Sequence, residues 1–158
     1  MKQLRYIEIE HFKTFEEKIR IELGHPAVLI GPNNAGKTSV IQALALWNRG
    51  IQAWYDKKGQ LGLKDKRERI SAGINRLHIL EIPVSETRFL WTHTRVRRGN
   101  TPIEMTINVG LEYKGKVFDC RPCPETVGHE ELLEFAAGLR FSLLYPMSGI
   151  EMDEPLLQ

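Results

Sequence analysis

Two stretches near the start of the chain alternate apolar and polar residues. Between residues 5 and 10, Ile7 and Ile9 fall on one face of an extended chain, and the glutamates that follow them fall on the other. Residues 19–23 alternate in the same way, so we predict that the two stretches pair as half-buried β-strands. The segment between them, residues 11–15, contains two phenylalanines and is predicted to be a turn that both rings anchor.

A third alternating stretch is the longest in the chain. Every second residue from 103 to 113 is apolar or aromatic, residues 114–115 are a Lys-Gly turn pair, and residues 116–120 return. This pattern predicts an antiparallel hairpin. Further along, residues 130–138 are predicted to be a helix and residues 140–145 a strand.

Between these strand patterns the period of the apolar residues changes from two to 3.6. Residues 27–30 are wholly apolar and predict a buried central strand. A helix follows, and Arg49-Gly50 is predicted to end it. The residues that share one face of this helix are Val40, Ala43, Leu44 and Trp47.

The residues that connect this strand to this helix read Gly-Pro-Asn-Asn-Ala-Gly-Lys-Thr. They fit G-x-x-x-x-G-K-[ST], the phosphate-binding loop or Walker A motif, in the strand–loop–helix setting that the motif requires. In such a loop the backbone N–H groups and the helix N-terminus converge on phosphate oxygens, the lysine reaches the β- and γ-phosphates, and the threonine hydroxyl binds Mg²⁺. The predicted nucleotide-binding residues are Gly31, Pro32, Asn33, Asn34, Ala35, Gly36, Lys37, Thr38 and Ser39, with Thr38 as the Mg²⁺ ligand.

Composition narrows the class of protein further. The chain has 158 residues with 42% hydrophobic and 27% charged content, which suits one globular domain or one lobe of a larger protein. The net charge of +2 is too small to indicate nucleic-acid binding by itself. No apolar run approaches the ~20 residues of a membrane span, and no signal-peptide core is present, so we expect a cytoplasmic protein.

Residues 4–47 resemble a known family. The pattern I-x-I-x-x-F-K-x-F at residues 7–15, a second alternating strand and G-P-N-N-x-G-K-T-S are similar to the N-terminus of SMC/RecF-like ATPases. These form part of the ABC-type branch of P-loop ATPases, and the overcoming-lysogenization nucleases share the arrangement. The family usually has asparagine where this chain has His11. Residues 145–149, with Asn75-Arg76, are similar to a subgroup of bacterial AAA-type ATPases.

The resemblance implies a fold and a set of ligands. It implies an α/β P-loop NTPase core, an ABC ATPase-like lobe with an added antiparallel β-layer, which binds ATP and Mg²⁺. Lys13 would approach the phosphates from the first hairpin, as a basic residue there does in some relatives. The complete protein would form a homodimer through the nucleotide site and would act on DNA in repair, chromosome maintenance or phage defence.

Hydrolysis requires carboxylates that the first half of the chain does not supply. Asp153-Glu154 resembles the end of the Walker B motif of ABC ATPases, and residues 147–151 resemble their signature sequence. One residue separates these two candidate motifs, whereas the family places a helix of several turns between them, so they cannot both be functional motifs. We therefore expect residues 1–158 to be the N-terminal lobe of a longer protein, with slow hydrolysis by this chain alone.

Two other functions remain open. A P-loop GTPase would use the same loop, but the guanine-reading sequence N-K-x-D is missing. A nucleotide-gated interaction module would bind ATP and dimerise without hydrolysis.

Charged and thiol clusters have a structural and a functional interpretation each. Residues 50–75 are predicted to be a surface insertion, either a solvated segment or a DNA contact. The arginines at positions 95, 97 and 98 precede a turn and fit either a solvated hairpin or a DNA contact. Cys120 and Cys123 form a C-x-P-C pair that fits ordinary thiols better than a redox or zinc site. The surrounding pattern is a hairpin exit and not the β-α-β unit of a redox dithiol, and a zinc site would need a second ligand pair, for which His129 is the one nearby candidate.

Overall fold

Four antiparallel strands form the larger sheet of the computed structural model, which describes residues 3–61, 73–74, 82, 84–120 and 138–139. The strands are β1 (Gln3–Glu10), β2 (Ile19–Glu22), β5 (Thr106–Tyr113) and β6 (Lys116–Cys120), in the order β2-β1-β5-β6. Both predicted pairings, of the first two strands and of the late hairpin, are confirmed. The central pairing joins β1 to β5, which are distant in the sequence.

One face of this sheet forms half of the core. The alternation predicted for β1 and β5 places isoleucine, valine and leucine side chains on the same side, where they are buried. The opposite face is polar, and on it Glu8 pairs with Lys18 at 2.9 Å. The hydrogen bond from Lys18 lowers the pKa of Glu8. The buried face consists of Ile7, Ile9, Ile107, Val109 and Leu111.

A glycine in β5 makes room for an aromatic ring on the polar face. Gly110 lies opposite Tyr6, and a Cβ at Gly110 would lie 2.2 Å from Cε1 of that ring. The guanidinium of Arg20 covers the other side, 3.5 Å from the ring centroid. Tyr6 is therefore a buried packing residue of the sheet.

Helix α1 (Lys37–Leu61) covers the apolar face of the sheet. The predicted helical face is confirmed, since Val40, Ala43 and Trp47 are buried. The predicted end at Arg49-Gly50 is wrong, because the helix continues for eleven residues beyond Gly50. Ile51 and Trp54 extend the buried face. Burying these two side chains contributes more than the ~1 kcal/mol that glycine costs inside a helix.

The predicted surface insertion at residues 50–75 is correspondingly wrong in its first part. Residues 50–61 belong to α1, and Ile51 and Trp54 pack in the core. Residues 73–74 are exposed and have no regular structure, and residues 62–72 and 75 lie outside the described residues.

The predicted central strand at residues 27–30 is also wrong. These residues adopt no strand in the described part of the chain, and the side chains of Val28 and Ile30 are 73% and 90% exposed. A strand requires a neighbour to pair its backbone groups, and no described strand lies beside this segment. Leu29 alone packs against the core.

A short hairpin carries the arginine cluster. Strands β3 (Arg97–Arg98) and β4 (Thr101–Pro102) pair across Gly99-Asn100, and all four strand residues are exposed. The predicted hairpin is confirmed, and its exposure is compatible with both interpretations of the arginines. Two 3₁₀ turns, Thr87–Leu90 and Thr92–Thr94, precede it.

Apart from Gly138, the helix predicted at 130–138 and the strand predicted at 140–145 lie outside the described residues. Within the described parts of the chain, no helix combines the length and hydropathy needed to cross a membrane.

Cys120 ends β6 inside the core and should be chemically inert in the folded chain. It is a free thiol, and burial raises its pKa to about 12. At pH 8 its thiolate fraction is then on the order of one in ten thousand, against about a quarter for an ordinary thiol. We expect iodoacetamide to modify Cys120 at least about a hundredfold more slowly in the native chain than in urea.

The measurement uses the Cys123→Ser variant, so that mass spectrometry follows one thiol. Equal rates in native buffer and in urea would contradict the burial of Cys120. Rapid native modification would also reopen the redox interpretation of the C-x-P-C pair.

Candidate nucleotide-binding site

The turn between β1 and β2 is fixed to the core and supports the candidate site. The Phe12 side chain is fully buried, and its backbone exchanges hydrogen bonds with Phe15 at 3.0 and 2.9 Å. The Lys13 N–H donates to the carbonyl of Leu90 at 2.9 Å, and the Thr92 hydroxyl donates to that of Phe15 at 3.0 Å. The predicted turn with two aromatic anchors is therefore confirmed.

The Phe15 ring lies directly under the glycine-rich loop. A Cβ at Gly36 would lie 2.8 Å from Cζ of Phe15 and 3.0 Å from the Thr14 hydroxyl. Gly36 also has a φ of 83°, which glycine adopts at little cost, and Asn34 has a φ of 65°. The position therefore requires glycine for two reasons, backbone conformation and space.

Lys37 extends back across the loop from the first residue of α1. Its ammonium donates hydrogen bonds to the backbone carbonyls of Gly31 and Pro32, both at 2.6 Å. The Lys37 side chain thus links the end of the loop to its start. Residues 31–35 are exposed along this loop, which leaves their backbone open to a ligand.

The start of α1 completes the positive side of the site. No acidic residue lies in its first turn, so its own sequence leaves the helix dipole without a compensating carboxylate. Thr38 is exposed, whereas Ser39 is 8% exposed. The Val40 N–H donates to the Gly36 carbonyl at 2.9 Å. The N–H groups before it are those that a helix leaves free for an anion.

Lys13 approaches the same end of α1 from the other side. Its ammonium donates a hydrogen bond to Oε1 of Gln42, and burial lowers its pKa. The neighbouring residues Thr14 and Phe15 touch Gly36, so the structure brings Lys13 close to the predicted loop. Gln42 lies outside the Walker A motif, although its position four residues after Thr38 places both on one side of the helix.

Three residues that the sequence analysis names, Asp153, Glu154 and Cys123, lie outside the described residues. Among the described residues, no group of three or more histidine, cysteine, aspartate or glutamate side chains could hold a metal ion. The Mg²⁺ ligand predicted from the sequence, the exposed hydroxyl of Thr38, is a single group and stays a prediction.

A groove of about 690 Å³ lies next to the arginine hairpin, and none of residues 31–39 lines it. Arg95, Arg97 and Arg98 line one part, and Glu10 and Glu16 line another. The mixed charge gives no preference for an anionic partner, so the DNA contact stays a prediction.

Comparison with known proteins supports the assignment of the first half of the chain. The AAA domain family matches residues 6–82. A stretch of 57 residues, 35% of this chain, is 39% identical to the chromosome partition protein Smc of Desulfitobacterium hafniense (strain Y51) and spans 5% of that protein. No solved structure matches the chain. The resemblance predicted from residues 4–47 is thereby confirmed: the two matches support an SMC-like AAA ATPase fragment, and an AAA-family domain over residues 6–82 implies a P-loop NTPase.

Proposed function

We propose that this chain binds Mg-ATP through residues 31–39, as the ABC-type N-terminal lobe of an SMC/RecF-like ATPase. The observation that carries the proposal is the position of the Lys37 ammonium, 2.6 Å from two carbonyls at the start of the loop. A lysine in this position lies against the backbone of the loop. Phosphate oxygens that enter the loop meet both the lysine and the free N–H groups of the helix start.

Charge favours a polyanionic ligand. Lys37, which bonds to the loop, and Lys13, which bonds to the second turn of α1, add two positive charges to the N-terminal end of that helix, and no described carboxylate forms an ion pair with either lysine. A triphosphate supplies several negative oxygens that these groups can share. The loop-forming residues Gly31, Asn34 and Gly36 then act mainly through their backbone, and Ser39 adds a hydroxyl near the α-phosphate.

The exposed hydroxyl of Thr38 fits Mg²⁺, which prefers oxygen ligands and is usually held by few protein groups together with phosphate and water. When bound, the metal supplies charge neutralisation for the β- and γ-phosphate oxygens. The lysines of this chain would hold the phosphates and stabilise the charge that develops as water attacks the γ-phosphorus. Asp153 and Glu154 remain the candidates within this sequence for orienting that water.

The proposal includes the setting of the complete protein. Residues 1–158 would be one lobe of a longer, cytoplasmic chain that forms a homodimer through the nucleotide site and acts on DNA. The relative named chromosome partition protein Smc is the support for this setting. A non-catalytic module that dimerises on ATP would use the same loop in the same way.

Competition between nucleotides tests the base preference. The chain lacks N-K-x-D, so we expect ATP to displace a fluorescent ATP analogue at least as well as GTP does. The measurement is a fluorescence titration of the 158-residue chain with Mg²⁺ present, with the Lys37→Ala variant as the control for loop-specific binding. A strong preference for GTP would favour the GTPase alternative, and no binding of either nucleotide would contradict the proposal.

A further inference from the structure

We infer that Gln42 is a positioning residue for Lys13: its side-chain carbonyl holds the Lys13 ammonium beside the first turn of α1, where the phosphates of the bound nucleotide lie. This inference rests on the proposed function and deepens it. It assigns a role to a buried polar side chain that the loop motif does not include.

The position of Gln42 on α1 supports the inference. Gln42 is 5% exposed and lies one helical turn after Thr38. Side chains of an α-helix tilt toward its N-terminus, so the amide of Gln42 reaches back over the turn that contains Thr38. The pitch of a helix is about 5.4 Å, which places the held ammonium within about one turn of the phosphate-binding end.

The backbone of Lys13 is fixed, whereas the position of its ammonium depends on the side-chain rotamer. The N–H of Lys13 donates a hydrogen bond to the Leu90 carbonyl, and its φ of 49° is held by the tight turn between Phe12 and Phe15. Four methylene groups separate this backbone from the ammonium and can adopt many rotamers. The hydrogen bond to Gln42 selects one of them.

The chemistry of the acceptor matters as much as its position. A carboxylate at residue 42 would neutralise Lys13, whereas the amide oxygen of Gln42 orients the ammonium and leaves its charge available. No carboxylate of the described residues forms an ion pair with Lys13, and burial has already removed part of its hydration. An ammonium has three N–H donors, and Gln42 accepts from one, so two can turn to phosphate oxygens.

A double-mutant cycle tests the inference in the 158-residue chain. Gln42→Met keeps the length and volume of the side chain and removes the acceptor, and Lys13→Met removes the ammonium. We expect each single change to weaken binding of the fluorescent ATP analogue by about threefold to tenfold, as for a charge-assisted contact. Because Gln42 acts through Lys13, adding Gln42→Met to Lys13→Met should weaken binding less than about twofold further.

The cycle separates failure of the inference from failure of the proposed function. Additive effects of the two changes, or no effect of Gln42→Met alone, would overturn the positioning role even if Lys37→Ala abolishes binding. If Lys37→Ala binds the analogue as well as the unchanged chain does, the proposed function itself fails.

A measurement on the unchanged chain covers the case in which Gln42→Met does not fold. Nuclear magnetic resonance of ¹⁵N-labelled lysine side chains should show a Lys13 ammonium signal, assigned with Lys13→Arg, because hydrogen bonding and burial slow its exchange with water. We expect this signal to shift when the Mg-bound ATP analogue is added. A Lys13 signal that does not respond to saturating analogue would overturn the inference.

Discussion

Replacing Lys37 with alanine is expected to weaken binding of an ATP analogue by at least about tenfold, because charge-assisted contacts to phosphate are lost. The ammonium lies on the open side of the loop, where its two bonds to Gly31 and Pro32 are exposed. The fold should therefore persist, since the core residues of α1 lie on another face of the helix. Titration of the fluorescent analogue measures the affinity, and circular dichroism checks the fold.

A matched control is Lys116→Ala, which removes an exposed lysine at the start of β6. It changes the net charge by the same amount but lies outside the loop, so its affinity should equal that of the unchanged chain. Equal binding by all three proteins would refute the assignment of residues 31–39.

Trp47→Ala should have the largest effect on stability. Trp47 is fully buried between α1 and the sheet, and its indole N–H donates to the Cys120 carbonyl at 2.8 Å. Truncation of a buried tryptophan costs about 3–5 kcal/mol, and the carbonyl also loses its donor. Domains are stable by about 5–15 kcal/mol, so a large part of the free energy of unfolding would be lost.

Urea denaturation followed by circular dichroism measures this effect. The Trp47→Phe variant keeps most of the ring and lacks the donor, so it should lose less than Trp47→Ala does. If Trp47→Ala unfolds at the same urea concentration as the unchanged chain, this result would contradict the burial of Trp47 between α1 and the sheet.

The sheet could be predicted because its pattern is local. Alternation at Ile7 and Ile9, and at Ile107 and Val109, needs only a period of two and a buried face to predict strand and orientation. The buried face of α1 could be predicted in the same way, from its period of 3.6. The end of α1 could not be predicted, because Gly50 favours termination locally and the burial of Trp54 stabilises the helix beyond it.

The rest of the site depends on contacts between residues far apart in the sequence. Phe15 belongs to the predicted turn and Gly36 to the predicted loop, but their spacing in the sequence does not show that the ring lies under the loop. The Lys13–Gln42 bond is a similar case. The strand predicted from the apolar residues 27–30 is wrong because a strand needs a neighbouring strand to pair with, and composition does not show whether such a neighbour exists.

The pairing of β1 with β5 has a consequence for biosynthesis. Glu8 and Asn108, which face each other in these strands, are 100 residues apart. At ~5–20 residues per second, a ribosome needs roughly 5–20 s to make the intervening chain. During that time β2, with four residues, is the one neighbour of β1 in the described sheet that has been made, and a two-stranded hairpin is marginally stable alone. Ile7 and Ile9 are then open to chaperones on the nascent chain until β5 emerges.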